Sequence, residues 1–128
     1  MSLFKSSSSS SEETKSDSRV GWKQLTDLGE LNTIVNESNV KPVVIFKHST
    51  RCGVSRMVLK QFENEFNSHD MITPYFLDLL AHRDISNAIA SRFDVVHQSP
   101  QMIVIKEGVA VYSASHESID AAELQHFI

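Results

Sequence analysis

The chain contains one cysteine, Cys52, and its neighbours give the sulfur a setting in which it can act as a nucleophile. Cys52 follows an apolar run at residues 43–46 and a polar step at residues 47–51, and it precedes a stretch with helical periodicity that begins at Gly53. This order predicts a strand, a short loop and a helix start, which would place the sulfur among unpaired backbone N–H groups. Such a setting lowers the pKa of a thiol from about 8.5 toward neutrality, and the thiolate is the nucleophilic form. The sequence therefore predicts that Cys52 is a reactive thiol rather than an inert core residue.

The elements that would position this sulfur can be predicted from the spacing of apolar residues. Apolar residues recur every three or four positions in four segments that we predict to be helices, at residues 24–36, 52–67, 84–93 and 119–127. Strands are predicted at residues 43–46, 72–79, 102–105 and 109–112, and the last two form a hairpin around Gly108. The order α-β-α-β-α-β-β-α predicts an α/β fold, in which helices flank a four-stranded mixed sheet on both faces.

Composition sets the domain boundary and excludes several classes of partner. Residues 1–19 are predicted to be a disordered serine-rich tail because they lack apolar anchors, and residues 20–128 to be the folded domain. The net charge of −4, from 12 basic and 16 acidic residues, argues against a nucleic-acid partner. No apolar stretch approaches the roughly 18 residues of a membrane span, and the early serines leave no secretory hydrophobic region. A single cysteine fits a reducing compartment, so we expect a cytoplasmic protein without a membrane partner.

The histidines do not suggest a metal centre. Combined with a single cysteine, they match no recognisable zinc spacing, so we predict no metal site. Those at positions 69, 82, 97, 116 and 126 fall on predicted helix ends and loops and are interpreted as surface residues.

A second segment falls in register with the cysteine. The loop at residues 98–101 precedes the third predicted strand, and in this topology it lies beside the start of the helix that follows Cys52. Pro100 is predicted to form a cis peptide bond and to lie against the sulfur, although few X–Pro bonds are cis in general. The backbone of Ser99 would then face an incoming extended thiol substrate.

These residues resemble the thioredoxin superfamily, and more closely the monothiol bacilliredoxins, which act on bacillithiol mixed disulfides. The resemblance covers residues 22–128. It is carried by residues 46–50 leading to a cysteine with a serine three positions later, and by the Ser99-Pro100-Gln101 step. It departs from the family at Gly53-Val54. The Cys-Gly-Val-Ser segment is instead similar to the Cys-Gly-Phe-Ser motif of monothiol glutaredoxins, but residues 113–116 lack their glycine pair followed by aspartate.

The resemblance implies a monothiol mechanism. Cys52 would take the small thiol from a client protein's mixed disulfide, and a second small thiol or a separate reductase would then clear it, since no resolving cysteine exists. Ser55 would occupy the resolving position and donate a hydrogen bond to the thiolate, while Lys47 and Arg51, with Arg56 nearby, would supply positive charge for substrate carboxylates. The residues expected to stabilise the thiol or bind substrate are Lys47, Thr50, Arg51, Gly53, Ser55, Ser99, Pro100 and Gln101.

The resemblance also implies partners and leaves alternatives open. We expect a monomer with no bound cofactor, which uses bacillithiol or glutathione as a co-substrate and bacillithiolated proteins as clients. One alternative is an iron–sulfur cluster carrier, in which Cys52 of two subunits and two small thiols would hold a [2Fe–2S] cluster. Another is a non-catalytic thioredoxin-like adaptor in which Cys52 is incidental.

Overall fold

A computed structural model describes residues 20–67 and 70–128 of the chain, and the predicted serine-rich tail at residues 1–19 lies outside the described residues. The strands are β1 (Lys23–Gln24), β2 (Val43–His48), β3 (Thr73–Asp78), β4 (Gln101–Lys106) and β5 (Val109–Ser115). The helices are α1 (Glu30–Ser38), α2 (Gly53–Glu65) and α3 (Arg83–Arg92), and two 3₁₀ segments follow at His116–Ser118 and Ala121–Phe127. Within the described ranges, no helix is long and apolar enough to cross a membrane.

The strands form one mixed sheet in the order β1-β3-β2-β4-β5. Strands β1, β3 and β2 are parallel, and β4 and β5 are added antiparallel. Strand β2 lies at the centre, and every residue of it is buried. The end of β2 and the start of β4 meet at one edge of the sheet, since Lys47 pairs with Gln101. The loops that follow β2 and precede β4 therefore emerge side by side.

The two faces of the sheet carry separate apolar cores, because successive side chains of a strand point to opposite faces. Val44 and Phe46 pack toward α2 and the second 3₁₀ segment, in a cluster with Val58, Phe62 and Leu124. Val43 and Ile45 pack toward α1 and α3, in a cluster with Ile34, Ile85 and Ile89. The next residues of β2 continue this alternation, so Lys47 belongs to the α1/α3 face and His48 to the α2 face.

The sheet has five strands where the sequence predicted four. The additional strand, β1, is only two residues long and pairs with Tyr75 and Phe76 of β3. Such a short exposed segment leaves no alternation pattern from which a strand can be predicted.

The first helix begins at Glu30 instead of residue 24. The Oε1 atom of Glu30 accepts the N–H groups of Thr26 and Asp27 at 2.9 and 3.1 Å, which closes a turn ahead of the helix. Leu25 supports the end of β1 instead, because its N–H donates to the carbonyl of Phe76 at 2.9 Å.

The C-terminal segment is 3₁₀ where an α-helix was predicted. Its first turn is closed by the N–H of Glu123, which donates to the carbonyl of Asp120, three residues back, at 3.1 Å. The carboxylate of Asp120 also accepts the N–H of Ala122 at 3.0 Å. The apolar spacing still has the predicted effect, since Leu124 is fully buried against the sheet.

Candidate active site

Cys52 is the N-cap residue of α2, as the sequence predicted, and its backbone is extended, with φ −102° and ψ 121°. The loop that carries it is a tight turn, since the N–H of Cys52 donates to the carbonyl of Ser49 at 3.2 Å. The carbonyl of Cys52 accepts the N–H of Arg56 at 3.1 Å and so begins the helical ladder. The residue is partly exposed and its side chain makes no capping hydrogen bond, so the sulfur lies at the helix start without a capping role.

The residues beside Cys52 are mostly solvent-facing. Thr50, Arg51 and Gly53 are exposed, and the guanidinium of Arg56 donates to the carbonyl of Thr50 at 3.0 Å. Gly53 is not required for space, because a Cβ there would meet nothing nearer than the Arg56 Nη2 atom at 3.9 Å. Arg51 and Arg56 therefore remain available to an anionic substrate, and Gly53 offers only its backbone.

Ser55 has different partners from those we predicted. It is fully buried, and its Oγ atom accepts the N–H of Ser49 at 3.1 Å and lies 2.8 Å from Nδ1 of His48. Burial lowers the pKa of His48, which favours the neutral ring, and the nearby carboxylates of Asp78 and Glu63 oppose this shift. The hydroxyl thus joins the strand end to the helix start through His48 and Ser49, two partners that the sequence did not predict.

The Ser99–Pro100 peptide bond is cis, which confirms the prediction. Pro100 is buried, and its carbonyl accepts the N–H of His116 at 3.0 Å. The Oγ atom of Ser99 is also buried and has no hydrogen-bond partner in the described structure. Because Gln101 pairs with Lys47 just before the Cys52 loop, this loop and the Cys52 loop share one edge of the sheet.

Lys47 was predicted to supply positive charge near the sulfur for substrate carboxylates, but its side chain is not exposed to a substrate. Its side chain is fully buried, and its Nζ atom donates to Oε1 of Gln101 at 3.0 Å and lies 2.7 Å from Nδ1 of His97. Burial lowers the pKa of Lys47 to about 8. The side chain of Gln101 is also buried, so it too is unavailable for the direct substrate contact that we predicted.

Two histidines of the site were missed by the sequence interpretation. His97 is exposed, as expected, yet Nδ1 also lies 3.2 Å from Oγ of the buried Ser86. Partial burial of the ring, with the charges of Lys47 and Arg83, lowers the pKa of His97. His48 had no role in the sequence interpretation, because only the fold brings its ring against Ser55. Among residues 20–67 and 70–128, no three His, Cys, Asp or Glu side chains are grouped to hold a metal ion.

Comparison with known proteins assigns the family. The model of the family described as monothiol bacilliredoxin BrxC matches residues 23–124. The chain belongs to the monothiol bacilliredoxin family. Its only cysteine, Cys52, is consistent with a monothiol protein.

Solved structures similar to this bacilliredoxin-family chain confirm the predicted thioredoxin-like fold. A protein assigned to the oxidoreductases with a thioredoxin fold is 29% identical with a TM-score of 0.69, over 80% of this chain and 89% of its own. Malassezia sympodialis thioredoxin is 20% identical with a TM-score of 0.64, over 86% of this chain and 90% of its own. Fasciola hepatica thioredoxin is 19% identical with a TM-score of 0.62, over 83% and 95% of the two chains. The family and the fold together assign the chain a role in thiol redox chemistry.

Proposed function

We propose that this protein removes bacillithiol from mixed disulfides on client proteins, with Cys52 as the nucleophile. The placement of Cys52 carries the proposal: it is partly exposed at the start of α2, and it is the only cysteine of the chain. A helix N-terminus favours negative charge, which is the charge of the attacking thiolate.

The exchange proceeds in two balanced steps. The Cys52 thiolate attacks the bacillithiol sulfur of the mixed disulfide, a new disulfide forms between Cys52 and bacillithiol, and the client sulfur leaves as a thiolate that takes up a proton. The thiolate of a second small thiol or of a separate reductase then attacks the bacillithiol sulfur of this disulfide, so that a new disulfide forms between the attacking sulfur and bacillithiol, and Cys52 leaves as a thiolate. This second step needs an external sulfur, because the chain has no other cysteine.

The surroundings of Cys52 support an anionic small thiol as the transferred group. Arg51 and Arg56 are exposed on either side of the sulfur in sequence, where their charge can attract carboxylates. The unpartnered Oγ of Ser99 supports a substrate on this loop, since a buried hydroxyl without a partner is costly unless a ligand satisfies it. We further propose that the protein works as a cytoplasmic monomer without a bound cofactor, and that the small thiol is its co-substrate.

Intact-mass spectrometry tests the proposal directly. Wild type and Cys52→Ser are each incubated with a bacillithiolated client, and in parallel with a glutathionylated client. We expect wild type alone to gain one bacillithiol while an equal amount of client thiol is released. No mass gain on wild type would refute the exchange reaction, and an equal gain from both clients would refute the preference for bacillithiol.

The cluster-carrier alternative is separated by a second measurement. Anaerobic reconstitution with iron and sulfide in the presence of the small thiol should leave the protein colourless and monomeric. A visible-region absorbance that is lost in Cys52→Ser would favour cluster ligation by the cysteine instead.

A further inference from the structure

Lys47 is a buried cation with no acidic partner among the residues that the structure describes. Its side chain is fully buried on the α1/α3 face of the sheet, and the ion pairs within the described ranges, Lys23–Glu37 and Glu123–His126, do not include it. Removing an ammonium group from water is costly, and an opposite charge usually compensates. Here the compensation comes from uncharged groups, so the position of this lysine calls for an explanation other than ion pairing.

The two partners of Lys47 lie at the two ends of one loop segment. His97 begins the segment that leads to Pro100, and Gln101 follows Pro100 directly. Gln101 also closes the loop on itself, since its amide nitrogen donates to the carbonyl of Val96 at 3.0 Å and its Oε1 atom accepts the N–H of Gln98 at 3.4 Å. The Nζ atom of Lys47 therefore joins the two ends of a loop that contains Ser99 and Pro100.

The same lysine belongs to the strand that leads to Cys52. It is the fifth residue of β2, one position before His48, whose ring holds Ser55 at the start of α2. One side of this strand end is thus bonded to the helix that begins after Cys52, and the other side is bonded to the loop that contains Ser99.

We propose that Lys47 is a positioning residue that fixes the loop of residues 97–100 to the end of β2, and so places the Ser99 backbone where it meets a substrate disulfide. The inference rests on the proposed function, because it assigns this loop a role in binding the substrate of Cys52. An ammonium group has three protons and a neutral amine two, so either form can donate to both His97 and Gln101.

Amide hydrogen exchange tests the positioning without any substrate. In Lys47→Met we expect the amides of residues 96–99 and of Gln101 to exchange about tenfold faster, with α2 unchanged, because local opening of the loop becomes easier. His97→Ala removes one of the two contacts of Lys47 by a change at an exposed position. We expect the exchange rates of the same loop amides to increase about threefold in this variant. Lys106→Met is the matched control, since Lys106 is a hydrogen-bonded lysine at the opposite end of β4. Unchanged exchange in both Lys47→Met and His97→Ala would overturn the proposal.

Enzyme kinetics separate positioning from thiol activation. We expect Lys47→Met to raise the KM for a bacillithiolated client about tenfold and to change kcat less than about twofold, because the loop binds substrate and does not react. The rate of Cys52 alkylation by iodoacetamide should equal that of wild type. Slower alkylation would instead show that the charge of Lys47 acts on the sulfur, contrary to the proposal. If wild type itself transfers no bacillithiol, the proposed function fails while hydrogen exchange still decides the role of the loop contact.

Discussion

The Oγ atom of Ser55 lies 2.8 Å from Nδ1 of His48, and the two side chains meet where β2 ends and α2 begins. The same oxygen accepts the N–H of Ser49, the first residue of the loop that carries Cys52. A single buried hydroxyl thus bonds to the strand end and the loop start, and its own backbone belongs to the first turn of the helix. The position of Cys52 relative to the sheet therefore depends on this contact.

The hydroxyl of Ser55 should be important for stability. Ser55→Ala leaves the ring nitrogen of His48 and the N–H of Ser49 buried without a partner, and a lost contact of this kind costs about 1–3 kcal/mol. We expect a lower free energy of unfolding by about that amount in urea titrations. The control is Ser91→Ala, which removes a hydroxyl from an exposed position of α3. Equal stability of the two variants would contradict the structural role given to Ser55.

The hydroxyl of Ser99 should be important for activity and not for stability, unlike that of Ser55. Its hydroxyl is buried without a partner within the described structure, so Ser99→Ala should leave the stability unchanged or raise it by about 1 kcal/mol. The rate of bacillithiol transfer should fall, because the substrate loses a hydrogen-bonding group on the loop beside Cys52. Urea unfolding and single-turnover transfer check the two effects. A less stable variant with full activity would show that the hydroxyl serves the fold.

The sequence predicted most of the sheet and helix order because its periodic segments are long. The apolar spacing after Cys52 fits only a helix, and the two apolar runs around Gly108 fit only a hairpin. The predicted start of α1 was wrong because Leu25 fits a helical stripe as well as a strand end. In the structure its N–H donates to the carbonyl of Phe76, which places it at the end of a strand. That bond joins residues far apart in the chain, and local spacing contains no information about it.

The site was predictable where it depends on sequence order and unpredictable where it depends on side-chain direction. The placement of Cys52 and the cis bond at Pro100 followed from the order of strand, loop and helix. The direction of Lys47 did not, since residues 43–46 are apolar on both faces and so give no alternation to extrapolate. The contact between His97 and Lys47 could not be predicted either, because 50 residues separate them in the chain.

Positive charge beside the sulfur should govern the affinity for an anionic small thiol. Arg51→Gln removes an exposed charge next to Cys52, and we expect a higher KM for bacillithiolated client and a weaker dependence of kcat/KM on salt. Lys41→Gln makes the same charge change at the far end of β2 and serves as the control. Stopped-flow measurements across a range of sodium chloride concentrations decide the matter. Identical salt dependence in the two variants would remove Arg51 from the substrate site.

Because Lys47 is buried, the free energy of unfolding should increase as the pH rises from about 8 to 10.5. Burial lowers the folded-state pKa of Lys47 from 10.5 to about 8, so between these values the unfolded chain binds more protons than the folded one. Stability rises with pH wherever the unfolded state binds more protons, so the free energy of unfolding should increase through this window.

The expected gain between pH 7 and pH 9.5 is about 2 kcal/mol, since a proton difference of one contributes about 1.4 kcal/mol per pH unit. Lys47→Met cannot titrate and should lack this gain, whatever its stability at pH 7. Guanidinium unfolding of both proteins at the two pH values gives the difference in slope, and groups common to both chains cancel. Parallel pH dependences would show that the amine of Lys47 keeps the ordinary lysine pKa in the folded protein, and hence that water reaches it.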